Sequence, residues 1–130
     1  MKYASAARAY SQNDLADKTS GRSPEELVSL LFDKGCMLIL KLDRLLDAEE
    51  PDVAEFSTTV QKAVHLVLSL RAILDLEQGG EVAQSLYEAY SSIATCLFKQ
   101  IREKNPKDIA KLHMALSEIR QAWQQSMTQS

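Results

Sequence analysis

Helix-breaking residues are scarce in this chain of 130 residues, which has only four glycines and three prolines. All three prolines stand where a helix could begin, and none interrupts an apolar pattern. Proline breaks a helix interior because it lacks a backbone donor, so this placement favours long, uninterrupted helices. The composition, 45% hydrophobic and 25% charged, is that of one ordinary globular domain.

Long apolar runs and targeting segments are missing as well. The longest uncharged apolar stretch, residues 35–40, is far shorter than the roughly 20 residues that span a bilayer. The opening residues, Met1-Lys2-Tyr3, are followed by a polar segment and not by an apolar signal sequence. We therefore expect a cytoplasmic protein that is not inserted in a membrane.

Residues that support catalysis or bind metals are few. The two histidines, His65 and His113, have no Asp or Glu three positions before them, so the Glu-x-x-His pattern of di-metal bundles is absent. Neither histidine is followed by the lysine and small residue that a histidine phosphotransfer site needs, and there is no phosphate loop or nucleophile elbow. Cys36 and Cys96 lie in apolar runs, which favours free, buried thiols. We expect no enzyme, no cofactor and no metal site.

The charge of the chain is slightly acidic and unevenly distributed. The formal net charge of -3 argues against a nucleic-acid partner. Residues 1–22 contain four Lys or Arg and two Asp, which leaves a charge of +2 on this segment. The remaining residues contain eleven basic and sixteen acidic side chains, which leaves -5. A mildly basic N-terminal segment therefore precedes an acidic body.

Capping signals divide that body into four helices. Ser23-Pro24-Glu25-Glu26 is a capping box with proline at the first helical position. Pro51-Asp52 and Asn105-Pro106 mark two further helix starts. Gly79-Gly80 predicts a tight turn, in which Gly79 takes the left-handed conformation that closes one helix and Gly80 caps the next. The predicted helices span residues 24–47, 51–77, 81–104 and 106–126.

Each predicted helix has an apolar stripe with a spacing of three or four residues, as a helix that packs on one face requires. In the first helix the stripe comprises Leu27, Leu31, Leu38, Leu42 and Leu45. Because the links between the helices are short, neighbouring helices must run antiparallel. The expected fold class is all-α, an antiparallel up-down-up-down four-helix bundle over residues 23–127 preceded by a flexible N-terminal segment, residues 1–22.

The second and third helices are more apolar than such a core requires. One interpretation is a wide core with tyrosines at its rim. The other is a groove that receives apolar helices from a partner. On the second interpretation the candidate binding residues are Tyr10, Leu66, Ile73, Leu76, Tyr87, Tyr90, Ala94 and Phe98.

The N-terminal segment has almost no large aliphatic residues, so it cannot fold alone. Tyr10 is its best aromatic anchor. Two interpretations stay open: Tyr10 is a stray surface aromatic, or it docks the segment as a lid onto the apolar surface of the second and third helices.

Four motifs, in order along the chain, resemble those of the flagellin chaperone family FliS. Ser23-Pro24-Glu25-Glu26-Leu27 leading into Leu31-Phe32-Asp33 is similar to the opening of that family's first helix. Residues 74–83, Leu-Asp-Leu-Glu-Gln-Gly-Gly-Glu-Val-Ala, resemble its Leu-Asp-x-Glu-x-Gly-Gly-Glu-Ile-Ala hairpin. Ile119-Arg120-Gln121-Ala122-Trp123 resembles its closing helix, and Ala9-Tyr10-Ser11-Gln12 its N-terminal motif. One departure is Lys34, where the family usually has glycine after the aspartate and this chain has Gly35 one position later.

The resemblance implies a cytosolic export chaperone. Such a protein binds the C-terminal segment of flagellin, prevents premature polymerisation and delivers the subunit to the export gate of the flagellar type III apparatus. It also implies an N-terminal segment that lies over part of the groove and moves when flagellin arrives. The alternative is a helical bundle that dimerises or regulates through the same apolar surface, and a homodimer of the free protein is compatible with either function.

Overall fold

The structure is a computed structural model that describes Ala9, Tyr10 and residues 23–129. It contains four helices: α1 (Pro24–Asp47), α2 (Val53–Ala72), α3 (Gly80–Glu103) and α4 (Pro106–Gln129). This confirms the predicted all-α four-helix bundle. The predicted flexibility of residues 1–22 concerns positions that, Ala9 and Tyr10 excepted, lie outside the described residues. Within the described ranges, no helix is long and apolar enough to cross a bilayer.

The three predicted polar helix starts are confirmed by their hydrogen bonds. The Ser23 hydroxyl accepts from the Glu26 amide at 3.1 Å, with Pro24 as the first residue of α1. The Asp52 carboxylate accepts from the Glu55 amide at 3.0 Å at the start of α2. At α4, the side-chain oxygen of Asn105 accepts from the amides of the second and third helical residues. Each cap satisfies backbone donors that have no partner within the helix.

The end of α2 differs from the prediction, which extended this helix to residue 77. The helix ends at Ala72, and residues 73–79 form a connection to α3. Leu74 pairs with Tyr10 in an isolated antiparallel bridge, and the Asp75 amide donates to the Ala9 carbonyl at 2.6 Å. The Ala9 carbonyl therefore accepts a hydrogen bond from an amide that would donate within the helix if α2 continued to residue 77.

The two adjacent glycines have the reverse of their predicted roles. Gly79 has φ of -80° and is the residue before α3, whereas Gly80 has φ of +59° and takes the left-handed conformation. At Gly79 the requirement is space, because an added Cβ would lie 2.6 Å from the Asp75 carbonyl oxygen and 3.0 Å from Ala9 Cα. At Gly80 the requirement is conformational, since a left-handed backbone favours glycine.

The helices pack in the order α3, α2, α1, α4, and α3 and α4 make the fewest contacts of any neighbouring pair. Gly35 lies in the middle of the buried face of α1. A Cβ there would lie 2.9 Å from Leu116 Cδ2 and 3.0 Å from Leu66 Cδ2, so α1 approaches α2 and α4 closely. Lys34 is exposed beside it, and Asp33 pairs with Arg120 of α4 at 2.8 Å. The departure from the family pattern at Lys34 therefore leaves the packing intact.

The buried face of α1 is rotated by about one residue from the predicted leucine stripe. Its centre contains Val28, Phe32, Cys36, Ile39 and Leu42. The other predicted leucines lie at the margin of the core and are only partly buried. The close approach at Gly35 explains the rotation, because it turns that side of the helix inward. Both cysteines are free, and Cys36 is buried whereas Cys96 is only half-buried.

Candidate binding surface

A shallow, open groove with a volume of about 350 Å³ runs along the outer side of the α2–α3 pair. We call it the α2–α3 groove; its lining comprises Val64, Leu68, Arg71, Ser91, Ala94, Thr95, Phe98 and Lys99. Phe98 is 63% exposed. The same ring borders a second cleft of about 200 Å³, lined also by Lys99, Ile101 and Arg102. Other large apolar side chains of the described residues, such as Met37 and Met114, are equally exposed, but Phe98 is the one that lines both of these clefts.

Arg71 lines one end of the α2–α3 groove. Its guanidinium lies over the Tyr87 ring, 4.9 Å from the ring centroid, and donates to the Ser91 hydroxyl at 3.0 Å. Ser91 in turn donates to the Tyr87 carbonyl at 2.8 Å. These contacts join α2 to α3 and hold the end of the groove in a defined shape.

A second open groove, with a volume of about 340 Å³, lies between α3 and α4. We call it the α3–α4 furrow; its lining comprises Ser92, Ile93, Cys96, Lys99, Gln100, Glu103, Asp108, Lys111, Leu112 and Ala115. It exists because α3 and α4 make few contacts with each other. Sequence reasoning missed it, since Ile93 and Leu112 have the same spacing as core residues.

Ala9 and Tyr10, which we call the strap, dock on the bundle and are buried. The Tyr10 hydroxyl lies 2.7 Å from the Tyr90 hydroxyl, and the Tyr10 ring meets the Trp123 ring edge-on with centroids 5.6 Å apart. Burial raises the pKa of Tyr10 well above its usual value, and the hydrogen bond with Tyr90 opposes this in part. Tyr10 is therefore an anchor and not a stray surface aromatic. Its contacts lie on α3, α4 and the 73–79 connection, and they include Tyr90, one of the candidate binding residues.

The family model described as "Flagellar protein FliS" matches residues 6–130, which include the strap and both grooves. This chain belongs to the FliS family. It is 30% identical over 126 residues to the flagellar secretion chaperone FliS of Salmonella typhimurium, covering 96% of this chain and 92% of the relative. It is 26% identical over 122 residues to the flagellar secretion chaperone FliSB of Pseudomonas aeruginosa, covering 91% and 92%. The FliS protein of Vibrio cholerae, also named a flagellar secretion chaperone, is 22% identical over 122 residues, covering 91% and 85%. FliS is a chaperone family and not an enzyme family, as predicted.

The candidate binding residues are distributed unevenly in this FliS family member. Ala94 and Phe98 line the α2–α3 groove, and Tyr87 borders it through Arg71. Ile73 is half-buried and Leu76 is 47% exposed, and both lie in the 73–79 connection.

Two of the candidate binding residues, Leu66 and Tyr90, are buried within the bundle. Leu66 is only 8% exposed and faces the close approach at Gly35. Tyr90 is fully buried, with its ring 6.5 Å from that of Phe32. Both belong to the interior of this FliS bundle because α1 and the strap cover them. Contact of any candidate residue with a partner stays a prediction.

Proposed function

We propose that this protein is a cytosolic export chaperone that binds the disordered C-terminal segment of flagellin, prevents its premature polymerisation and delivers it to the flagellar type III export gate. Membership of the FliS family and the names of its relatives support the export role. The observation that carries the binding role is the exposure of Phe98 between two clefts that combine apolar and basic side chains. A surface of this kind suits the apolar face of a helix.

A client that folds on binding fits the shape of this surface. The two grooves lie on neighbouring faces of α3 and share Lys99, and one is bordered by α2 and the other by α4, so a single straight helix does not fill both. A disordered segment can place one helical portion in each groove and wrap the bundle between them. The ordering entropy that it loses keeps the complex releasable in spite of a large apolar contact.

The docked strap competes with the client for part of the α3–α4 seam. Tyr10 lies between Tyr90 of α3 and Trp123 of α4, at the end of the α3–α4 seam away from the furrow. When the strap detaches, the apolar seam becomes available over a greater length. A docked strap therefore reduces the competent fraction of the protein and raises the apparent Kd by the inverse of that fraction.

Calorimetric titration of the full chain with a flagellin C-terminal segment tests the proposal. We expect binding with a negative heat-capacity change, because apolar surface is buried, and a gain of helix in circular dichroism. Binding without helix gain would contradict coupled folding. Sedimentation of the free protein tests the alternative, since a bundle that works by dimerisation would bury Phe98 against a second copy and leave flagellin unbound.

A further inference from the structure

The α2–α3 groove is lined by charges of one sign. The ionisable side chains that line it and the adjoining cleft are Arg71, Lys99 and Arg102, and all three are bases. By contrast, the α3–α4 furrow mixes Lys99 and Lys111 with the carboxylates of Glu103 and Asp108. The protein as a whole has a net charge of -3, which is opposite in sign to the charge of this groove. Its charge is therefore a local feature and does not follow from the composition.

No carboxylate lines this groove or the adjoining cleft. The chain has no Asp or Glu between Phe56 and Leu74, which includes the whole α2 side of the groove. On α3, Glu103 lines the neighbouring α3–α4 furrow, which Lys99 also borders. Within residues 23–127 the two ion pairs are Lys41 with Glu55 and Arg120 with Asp33, so neither Lys99 nor Arg102 has an acidic partner there. Both bases are exposed.

We infer that the occupant of the α2–α3 groove is an amphipathic helix of the client whose apolar stripe covers Phe98 and whose border carries carboxylates opposite Lys99 and Arg102. This inference rests on the proposed function and adds the charge of the segment that enters this groove. Complementary charge at the rim of an apolar contact steers association and fixes the orientation of the partner.

Charge disfavours two other occupants of the groove, the protein's own N-terminal segment and a second copy of the protein. The protein's own residues 1–22 carry +2, and the strap docks elsewhere, against Tyr90 and Trp123. A second copy bound through a twofold axis presents the same patch to itself, which places Lys99 and Arg102 opposite like charges. Like charges across an interface suppress association. A helix bordered by carboxylates is attracted by the basic groove and places no like charges opposite Lys99 and Arg102.

The decisive variant is Lys99→Glu/Arg102→Glu in the full chain, titrated with a flagellin C-terminal segment. The matched control is Lys34→Glu/Lys62→Glu, which makes the same change in net charge at exposed positions outside the described grooves. We expect the groove variant to raise Kd on the order of tenfold at low salt, and the control to change it less than about threefold. The difference should shrink between about 0.05 M and about 0.5 M NaCl, because salt screens exposed charges. A segment with its Asp and Glu changed to Asn and Gln should bind the wild type and the groove variant alike.

The possible outcomes separate this inference from the proposed function. If the wild type binds the segment and the groove variant weakens it no more than the control does, the charge inference is overturned and the chaperone role stands. Discrimination that persists with the neutral segment also overturns the inference, because carboxylates are then not the cause. If the wild type fails to bind the flagellin segment at all, the proposed function falls, and this inference falls with it.

Discussion

The hydroxyl oxygens of Tyr10 and Tyr90 lie 2.7 Å apart in the interior although 80 positions separate the two residues in the chain. This contact joins the N-terminal segment to the centre of α3. It lies beside Trp123, the only tryptophan of the protein, so the state of the strap can be read from a single fluorophore.

Tyr10→Ala should detach the strap without unfolding the bundle. The side chain is 4% exposed, and its loss removes both the Tyr90 contact and the packing on Trp123. Trp123 emission should shift to longer wavelength as water reaches the ring. Exchange of the Asp75 amide should accelerate, because this amide donates to the Ala9 carbonyl. Flagellin affinity should change less than tenfold, since the lost competition and the lost anchor offset each other.

Tyr10→Phe is the control for that experiment, because it keeps the ring and removes only the hydroxyl. It should leave Trp123 emission close to that of the wild type. If Tyr10→Ala leaves both the emission and the Asp75 exchange unchanged, the strap does not act as a lid and that part of the proposal should be dropped.

Gly79→Ala and Gly80→Ala should both destabilise the protein, but only the first should release the strap. An alanine at Gly79 places its Cβ 3.0 Å from Ala9 Cα and 2.6 Å from the Asp75 carbonyl oxygen, so the backbone must move. An alanine at Gly80 has no atom within 4 Å and costs about 1 kcal/mol through its left-handed backbone alone. Urea unfolding measures the loss of stability in each variant. Trp123 emission in native buffer shows which of the two variants has released the strap. Equal emission from the two variants would contradict a steric role for Gly79.

Phe98→Ala should weaken flagellin binding by about tenfold or more while the free energy of unfolding changes by only about 0.5 kcal/mol. The reason is that the ring is 63% exposed, so the bundle loses little packing. The neighbour Leu97 is fully buried, and Leu97→Ala should cost about 2–5 kcal/mol of stability. Thermal melting compares the stabilities of the two variants, and calorimetric titration compares their flagellin affinities. A Phe98→Ala protein that melts like Leu97→Ala would place Phe98 in the core.

Alkaline pH should loosen the strap. Burial raises the pKa of Tyr10 in the docked state, with the Tyr90 hydrogen bond opposing the effect, whereas a detached phenol titrates near about 10. Because the docked pKa is the higher one, the free energy of docking is fully present below about pH 10 and declines as the pH rises above it. Trp123 emission followed from about pH 8 to about pH 11 measures the change, and Tyr10→Phe should abolish it. An identical titration in that variant would assign the transition to another group.

The starts of the helices could be predicted because caps are local. Ser23, Asp52 and Asn105 each bond to amides within three residues of themselves. The end of α2 could not be predicted in this way, because the pairing of Leu74 and the Asp75 amide with the strap crosses more than sixty positions of sequence.

The candidate binding residues differ in how far the sequence could place them. Ala94 and Phe98 extend the apolar arc of α3, and both line the α2–α3 groove. Leu66 and Tyr90 are buried instead, because periodicity cannot say which side of a broadly apolar helix a neighbour covers. The basic character of the groove could not be predicted from the sequence, because Arg71 and Lys99 belong to different helices.

Among the described residues, the strap is held by a main-chain hydrogen bond from the Asp75 amide to the Ala9 carbonyl, by the bridge of Tyr10 with Leu74, and by the buried side chain of Tyr10. A main-chain bond survives most substitutions, because nearly every residue type supplies the same carbonyl. Of the described residues of the strap, the one whose side chain makes these specific contacts is therefore Tyr10. If the strap competes with the client as proposed, a substitution at this one position changes the rate of client binding and leaves the four-helix scaffold unchanged.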